Sequence, residues 1–160
     1  MAWMNSCHFA IRIEEPDGEK LPSHLNLLAR GLKLNDIRCL LCSYRVESLN
    51  HTLFSCEIAL EIWSMVRIWV DIPIPFFENW LEWLSWHQGW TGSSRQKMRL
   101  YAIVATLSWI LWRYRNAFLF DPGKMKKQEL YDLIRLYSYN WCKDRGKDCI
   151  SWTDWLIKPL

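Results

Sequence analysis

Three thiols and one imidazole lie close together in the chain, in the order Cys39, two residues, Cys42, eight residues, His51, four residues, Cys56. Thiolates and a neutral imidazole are the donors of a closed tetrahedral zinc site. Two cysteines separated by two residues can turn both sulfurs toward one ion, with Zn–S distances near ~2.3 Å. His51 and Cys56 are five positions apart, which on an uninterrupted α-helix would separate them by roughly 140°. The spacing therefore predicts an irregular turn between them. It also predicts Cys56 near the start of the next helix, where the positive end of the macrodipole favours a thiolate. Four protein ligands leave no open position for an activated water, so the expected role is one structural Zn2+. Three thiolates and Zn2+ sum to about −1, and Arg38 and Arg45 flank the site to offset it. A redox reading of Cys39 and Cys42 is weaker, since leucines fill the central positions and no βαβ pattern surrounds them. Ordinary burial of the thiols is the remaining alternative.

The elements that must position these residues read as mainly α. Ser23 is a candidate N-cap for a short helix over 23–30, with Leu25, Leu28 and Ala29 at helical spacing and Gly31 as its stop. After the cysteine segment, Ile58, Ile62, Met65, Val66 and Trp69 trace one face of a helix over 57–70, ended by Asp71-Ile-Pro-Ile-Pro. Further helices are expected over 78–88, over 95–120, and beyond Asp121-Pro-Gly, where Leu130, Leu133, Ile134, Tyr137 and Trp141 share a face. The expectation is a small helical domain of five or six helices with a zinc-knuckle-like Cys3His loop. Residues 1–20 form a poorly defined segment with a candidate strand at Phe9–Ile13. Residues 21–160 form one domain, made of a zinc-binding part (21–70) and a tryptophan-rich helical part (71–160).

Composition sets the outer limits. Half the 160 residues are hydrophobic and twelve are tryptophan, enough for one indole-rich core and inconsistent with disorder. The net charge of +3 is spread among acids and gives no strong field for polyanions. Six scattered cysteines and no signal peptide point to an intracellular, reduced protein, with nucleus and cytoplasm equally open. The most apolar run, Leu100–Trp112, is 13 residues, short of the ~20 a membrane span needs. It reads as a buried helix with Arg99, Arg113 and Arg115 reaching solvent at its ends. Neither a membrane nor a small-molecule substrate is expected.

Several strings resemble the reverse-transcriptase zinc-binding domain of plant LINE-type retroelements. They are Leu21-Pro-Ser-His-Leu-Asn-Leu-Leu-Ala-Arg-Gly, the Cys39 to Cys56 motif with His51-Thr-Leu-Phe-Ser-Cys56, Ile62-Trp63, Trp109-Ile-Leu-Trp112-Arg-Tyr-Arg115-Asn116, and Trp152-Thr-Asp-Trp155 onward. The resemblance spans roughly 20–160 and implies that Cys39, Cys42, His51 and Cys56 are the zinc ligands. It also implies a retroelement origin and binding of RNA or single-stranded DNA. Residues 1–20 depart from the family pattern, and no polymerase, endonuclease or RNase H motif is present, so the chain is expected to be a truncated stand-alone fragment.

Nucleic-acid binding needs cations beside stacking aromatics, and the candidates are Arg30, Lys33, Arg38, Tyr44 and Arg45, opposed by Asp36 and Glu47. The lysines at 124, 126 and 127 and the cations at 143, 145 and 147 read as solvated faces. Trp109, Trp112, Asn116 and Phe120 share a helix face, which predicts core packing with Asn116 buried. Trp80, Trp83, Trp86 and Trp90 are expected to be mostly buried, with an exposed surface for a protein partner as the alternative. His8, His24 and His87 lack catalytic companions, and Cys7, Cys142 and Cys149 read as unreactive thiols, so no enzyme is expected.

Overall fold

The computed structural model describes residues 21–145 and 150–160. The candidate strand at Phe9–Ile13, and Cys7, His8, Lys147 and Cys149, lie outside them. Six α-helices account for most of the described chain: α1 (His24–Ala29), α2 (Glu57–Val70), α3 (Trp80–Gly89), α4 (Ser94–Phe120), α5 (Leu130–Arg145) and α6 (Trp152–Ile157). A five-residue π-helical turn, His51–Ser55, precedes α2, and a 3-10 turn, Lys127–Glu129, leads into α5. No strand is present among the described residues; the one bridge, Arg38 to Val46, is isolated. No described helix is long and apolar enough to cross a membrane.

Side-chain caps fix where most helices begin. Ser23 accepts a bond from Asn26 N, Asn79 from Glu82 N, and Ser151 from Asp154 N. Ser93 and Gln96 form a reciprocal capping box at the start of α4. Helix α1 stops where expected, with Gly31 at φ +83°, a conformation that costs glycine little. Its apolar spacing is not matched by burial. Leu25 and Leu28 face solvent, and no residue of α1 is buried. The helix is held instead by its backbone and caps: Leu25 N donates to Glu47 O at 3.2 Å and Asn26 Nδ2 to Leu21 O at 2.8 Å.

The core forms around α4, whose residues 102–112 are all buried. A six-residue connection and the 3-10 turn return the chain so that α5 packs along α4, burying Leu130, Ile134, Trp141 and Cys142. Helix α2 contributes Ala59, Ile62, Trp63, Val66, Trp69 and Val70. Indoles pin the elements directionally as well as by area. Trp63 Nε1 donates to Leu53 O at 2.9 Å, tying α2 to the π-turn, and Trp69 Nε1 donates to Trp155 O at 3.0 Å, tying α2 to α6. Trp80 and Trp83 are buried, with ring centroids 4.7 Å apart, while Trp86 and Trp90 are half-buried.

Among the described residues, one charged pair lies in this core. The helical spacing predicts Asn116 and Phe120 on the buried face and Arg115 at the solvated end. Instead Arg115 is buried, Phe120 is 77% exposed and Asn116 is half-buried, accepting from Arg115 Nη1 at 3.1 Å. Arg115 follows Ser108 and Leu111 on the inward stripe of α4, and a carboxylate waits there to receive it. Its Nη2 and Nε donate to Glu47 Oε1 and Oε2 at 2.6 and 3.3 Å.

Candidate metal centre

The segment 37–47 folds back on itself. Cys39 N donates to Arg45 O at 2.7 Å, Ser43 N to Cys39 O at 2.8 Å and Glu47 N to Ile37 O at 2.8 Å. Ser43 takes the left-handed conformation, φ 61°, that closes the turn. Cys39 and Cys42 therefore sit on one tight loop. His51 opens the π-turn, its backbone N–H bound to Ser48 Oγ at 2.9 Å. Cys56 closes that turn through a bond from its N–H to His51 O at 2.7 Å, and then serves as the N-cap of α2. The predicted irregularity between His51 and Cys56 is this i to i+5 bond, which widens the turn until both side chains point the same way.

The ligating atoms of Cys39, Cys42, His51 and Cys56 all lie within 4.8 Å of one another. Cys39 Sγ and Cys56 Sγ are 3.9 Å apart, and Cys42 Sγ and His51 Nε2 are 3.3 Å apart. Tetrahedral zinc with ordinary bond lengths would hold two sulfurs about 3.8 Å apart and a sulfur and a nitrogen about 3.5 Å apart. The four side chains thus fit one Zn2+ with little movement. His51 Nδ1 lies 3.1 Å from Ser55 Oγ, a hydroxyl able to accept from Nδ1–H in the tautomer that leaves Nε2 for the metal. Backbone N–H groups of Leu41 and Cys42 also bond to the Cys39 sulfur.

Electrostatics favour the same ion. The hydrogen bond from Cys56 is the main reason the Cys39 thiol is lowered to about 5, against the opposing effect of burial. The same bond and burial push Cys56 upward. Two sulfurs sharing one proton are a site that a divalent cation completes by displacing it. Cys39, His51 and Cys56 are buried and Cys42 is half-buried, with all four positions taken by protein, so the centre is structural and holds one Zn2+.

Behind the loop sits Glu47, fully buried. Besides Arg115, its carboxylate accepts from His24 N at 3.1 Å and Leu40 N at 3.3 Å, so one side chain joins α1, the metal loop and α4. Burial alone would raise its pKa; the hydrogen bonds and charge of Arg115 prevail and hold it below the usual carboxylate value. Glu47, grouped by sequence with the acids of a solvated rim, is thus the anchor of the metal loop. The signal that could have found it is a guanidinium on the buried stripe of α4, since such a group requires a partner.

The proposed nucleic-acid residues are distributed around the loop. Arg30, Lys33, Arg38, Tyr44 and Arg45 are all exposed. Arg38 is engaged: its guanidinium grips Asp36 with Nη2 2.6 Å from Oδ2, which lowers Asp36 to about 2. Arg38 is therefore not the free counter-charge for the metal that its sequence position predicts. Tyr44 is 79% exposed on the same turn as Arg45. Burial holds the His87 pKa below its usual value, and its Nε2 donates to Lys97 O at 2.9 Å.

No curated protein and no solved structure matches the chain. A family model does, over residues 3–63. That span begins within the N-terminal segment set apart above, includes all four ligands and Glu47, and ends at Trp63 on α2; the later Trp-Arg-Asn and C-terminal strings lie beyond it. By its match, residues 3–63 of this chain are similar to the family described as zinc-binding in reverse transcriptase.

Proposed function

We propose that this protein is a zinc-stabilised module derived from a retroelement reverse transcriptase, and that the loop carrying its metal binds RNA or single-stranded DNA. The observation that carries the reading is Tyr44, whose ring stands in solvent beside Arg45 at the tip of the metal loop. An exposed ring next to a cation is what an unstacked base and its phosphate require. Arg30 and Lys33 supply further cations at the end of α1. With Arg38 committed to Asp36, the charge of the loop points to weak, salt-sensitive contact and not to tight sequence readout.

Fluorescence anisotropy of the zinc-loaded chain with labelled single-stranded RNA and DNA at low salt tests this. Binding should weaken several-fold in Tyr44→Ala and in Arg45→Ala, and the salt slope should fall by about 1 on loss of the arginine. No binding, or binding indifferent to both substitutions, leaves a module that contacts protein or nothing. Exposed Ile68, Phe76 and Leu81 are the apolar side chains that favour a protein partner as the second reading.

A further inference from the structure

Beside the start of α4 and the end of α5 is a cavity of about 340 Å³ that shares no residue with the metal centre. That volume is within the range of small-molecule sites. The lining comes from one face of each helix: Met98, Tyr101 and Ala102 on α4, and Trp141, Cys142 and Arg145 on α5. Ala102, Trp141 and Cys142 are buried and make the floor. Tyr101 is half-buried, edge-on to Trp141 at 5.9 Å, and Met98 and Arg145 reach solvent at the mouth.

Among the described residues of the lining, the charged group is Arg145, and it is positive. The Arg145 guanidinium stands 5.5 Å over the Trp141 ring, and the residue both lines the cavity and is exposed to solvent. The surrounding sequence adds to the same sign: α4 begins with Arg95, Lys97 and Arg99 and no acid, while Lys143 on α5 is set against Asp144. Apolar walls select a hydrocarbon body, and a planar guanidinium at the rim selects a carboxylate it can grip with two N–H groups. We propose that this cavity binds a small amphipathic carboxylate, its body over Ala102 and Cys142 against the joined Tyr101 and Trp141 rings and its head on Arg145.

The test uses the zinc-loaded chain with 1-anilinonaphthalene-8-sulfonate as reporter, displaced by decanoate or by decanol. Decanoate should displace the reporter at a concentration about tenfold lower than decanol, the equivalent of one charge-assisted contact. Arg145→Leu should weaken decanoate to the level of decanol. Met98→Trp, at the exposed mouth, should weaken both ligands with helix content and zinc content unchanged; Ala102→Leu, which fills the floor, does the same if the tryptophan variant fails to fold. Absence of reporter binding, equal displacement by the two ligands, or binding indifferent to all three substitutions overturns the proposal.

Discussion

The metal loop and the α4–α5 pair are stabilised by different means. Between Ser23 and His51 the buried side chains are Cys39, Glu47 and His51 plus the Ser23 cap, so the loop has almost no apolar interior. In α4 the run 102–112 is buried without interruption. The first region has ligands and one ion pair where the second has hydrocarbon, and its backbone has caps and turns where the second has a 27-residue helix. Proteins hold short irregular segments this way because too little apolar area is available to offset their chain entropy. The contrast teaches that the two regions should respond to different insults.

Metal removal should separate them most. Chelation, or Cys39→Ser, should abolish amide-exchange protection across 24–56 while α4 and α5 keep most of theirs, because zinc binding in such loops supplies ~10 kcal/mol or more of local folding energy. Native mass spectrometry should find one zinc in the wild type and none in the variant. Uniform loss of protection in both regions would mean that the helices also depend on the metal.

Next comes the strut between the regions. Arg115→Met leaves the Glu47 carboxylate buried without its partner and should cost about 3–5 kcal/mol, read as a lowered midpoint in denaturant. Adding Glu47→Leu to it should recover part of the loss, limited by the bonds from His24 N and Leu40 N that a leucine cannot accept. The same carboxylate gives a pH signature. Its folded pKa is below its unfolded value, so its contribution is complete above pH ~4.5 and fades as pH falls through the folded value. Glu47→Gln should remove that part of the acid dependence in thermal melts, and an unchanged acid limb would deny Glu47 its role.

Smaller effects sharpen the comparison locally. Ser55→Ala removes the partner of His51 Nδ1 and should weaken zinc about 10-fold or more in competition with a chromophoric chelator, leaving α4 untouched. Ser93→Ala, which breaks the capping box of α4, should cost about 1 kcal/mol and leave zinc affinity unchanged.

What could be read from the sequence follows the same division. Caps at Ser23, the stop at Gly31, the extents of α2 and α4, and the four ligands are local signals, each carried by a few adjacent residues. The π-turn was foreseeable because five positions are one too many for an α-helical pair of ligands. Long-range polar pairing was not. Glu47 and Arg115 are 68 positions apart, and hydropathy assigns both to water, so only a search for unpaired charge on a buried stripe would have joined them. The exposed leucines of α1 show the opposite limit: helical spacing of apolar residues predicts a helix, and whether a neighbour covers it depends on where the rest of the chain goes.

The π-turn at His51–Ser55 also has a consequence for which insertions and deletions the gene can accept. Losing one codon between His51 and Cys56 would give a four-residue spacing that an ordinary helical turn could bridge to the metal, so coordination alone would tolerate it. Leu53 and Phe54, however, sit 1% and 3% exposed inside that turn, with Phe54 stacked on Trp63. A one-residue deletion would rotate one or both of them out of the core while keeping the ligands in place. The length of this turn is therefore held from the apolar side, and a frame-preserving deletion there should yield a chain that still takes up zinc but no longer seats α2.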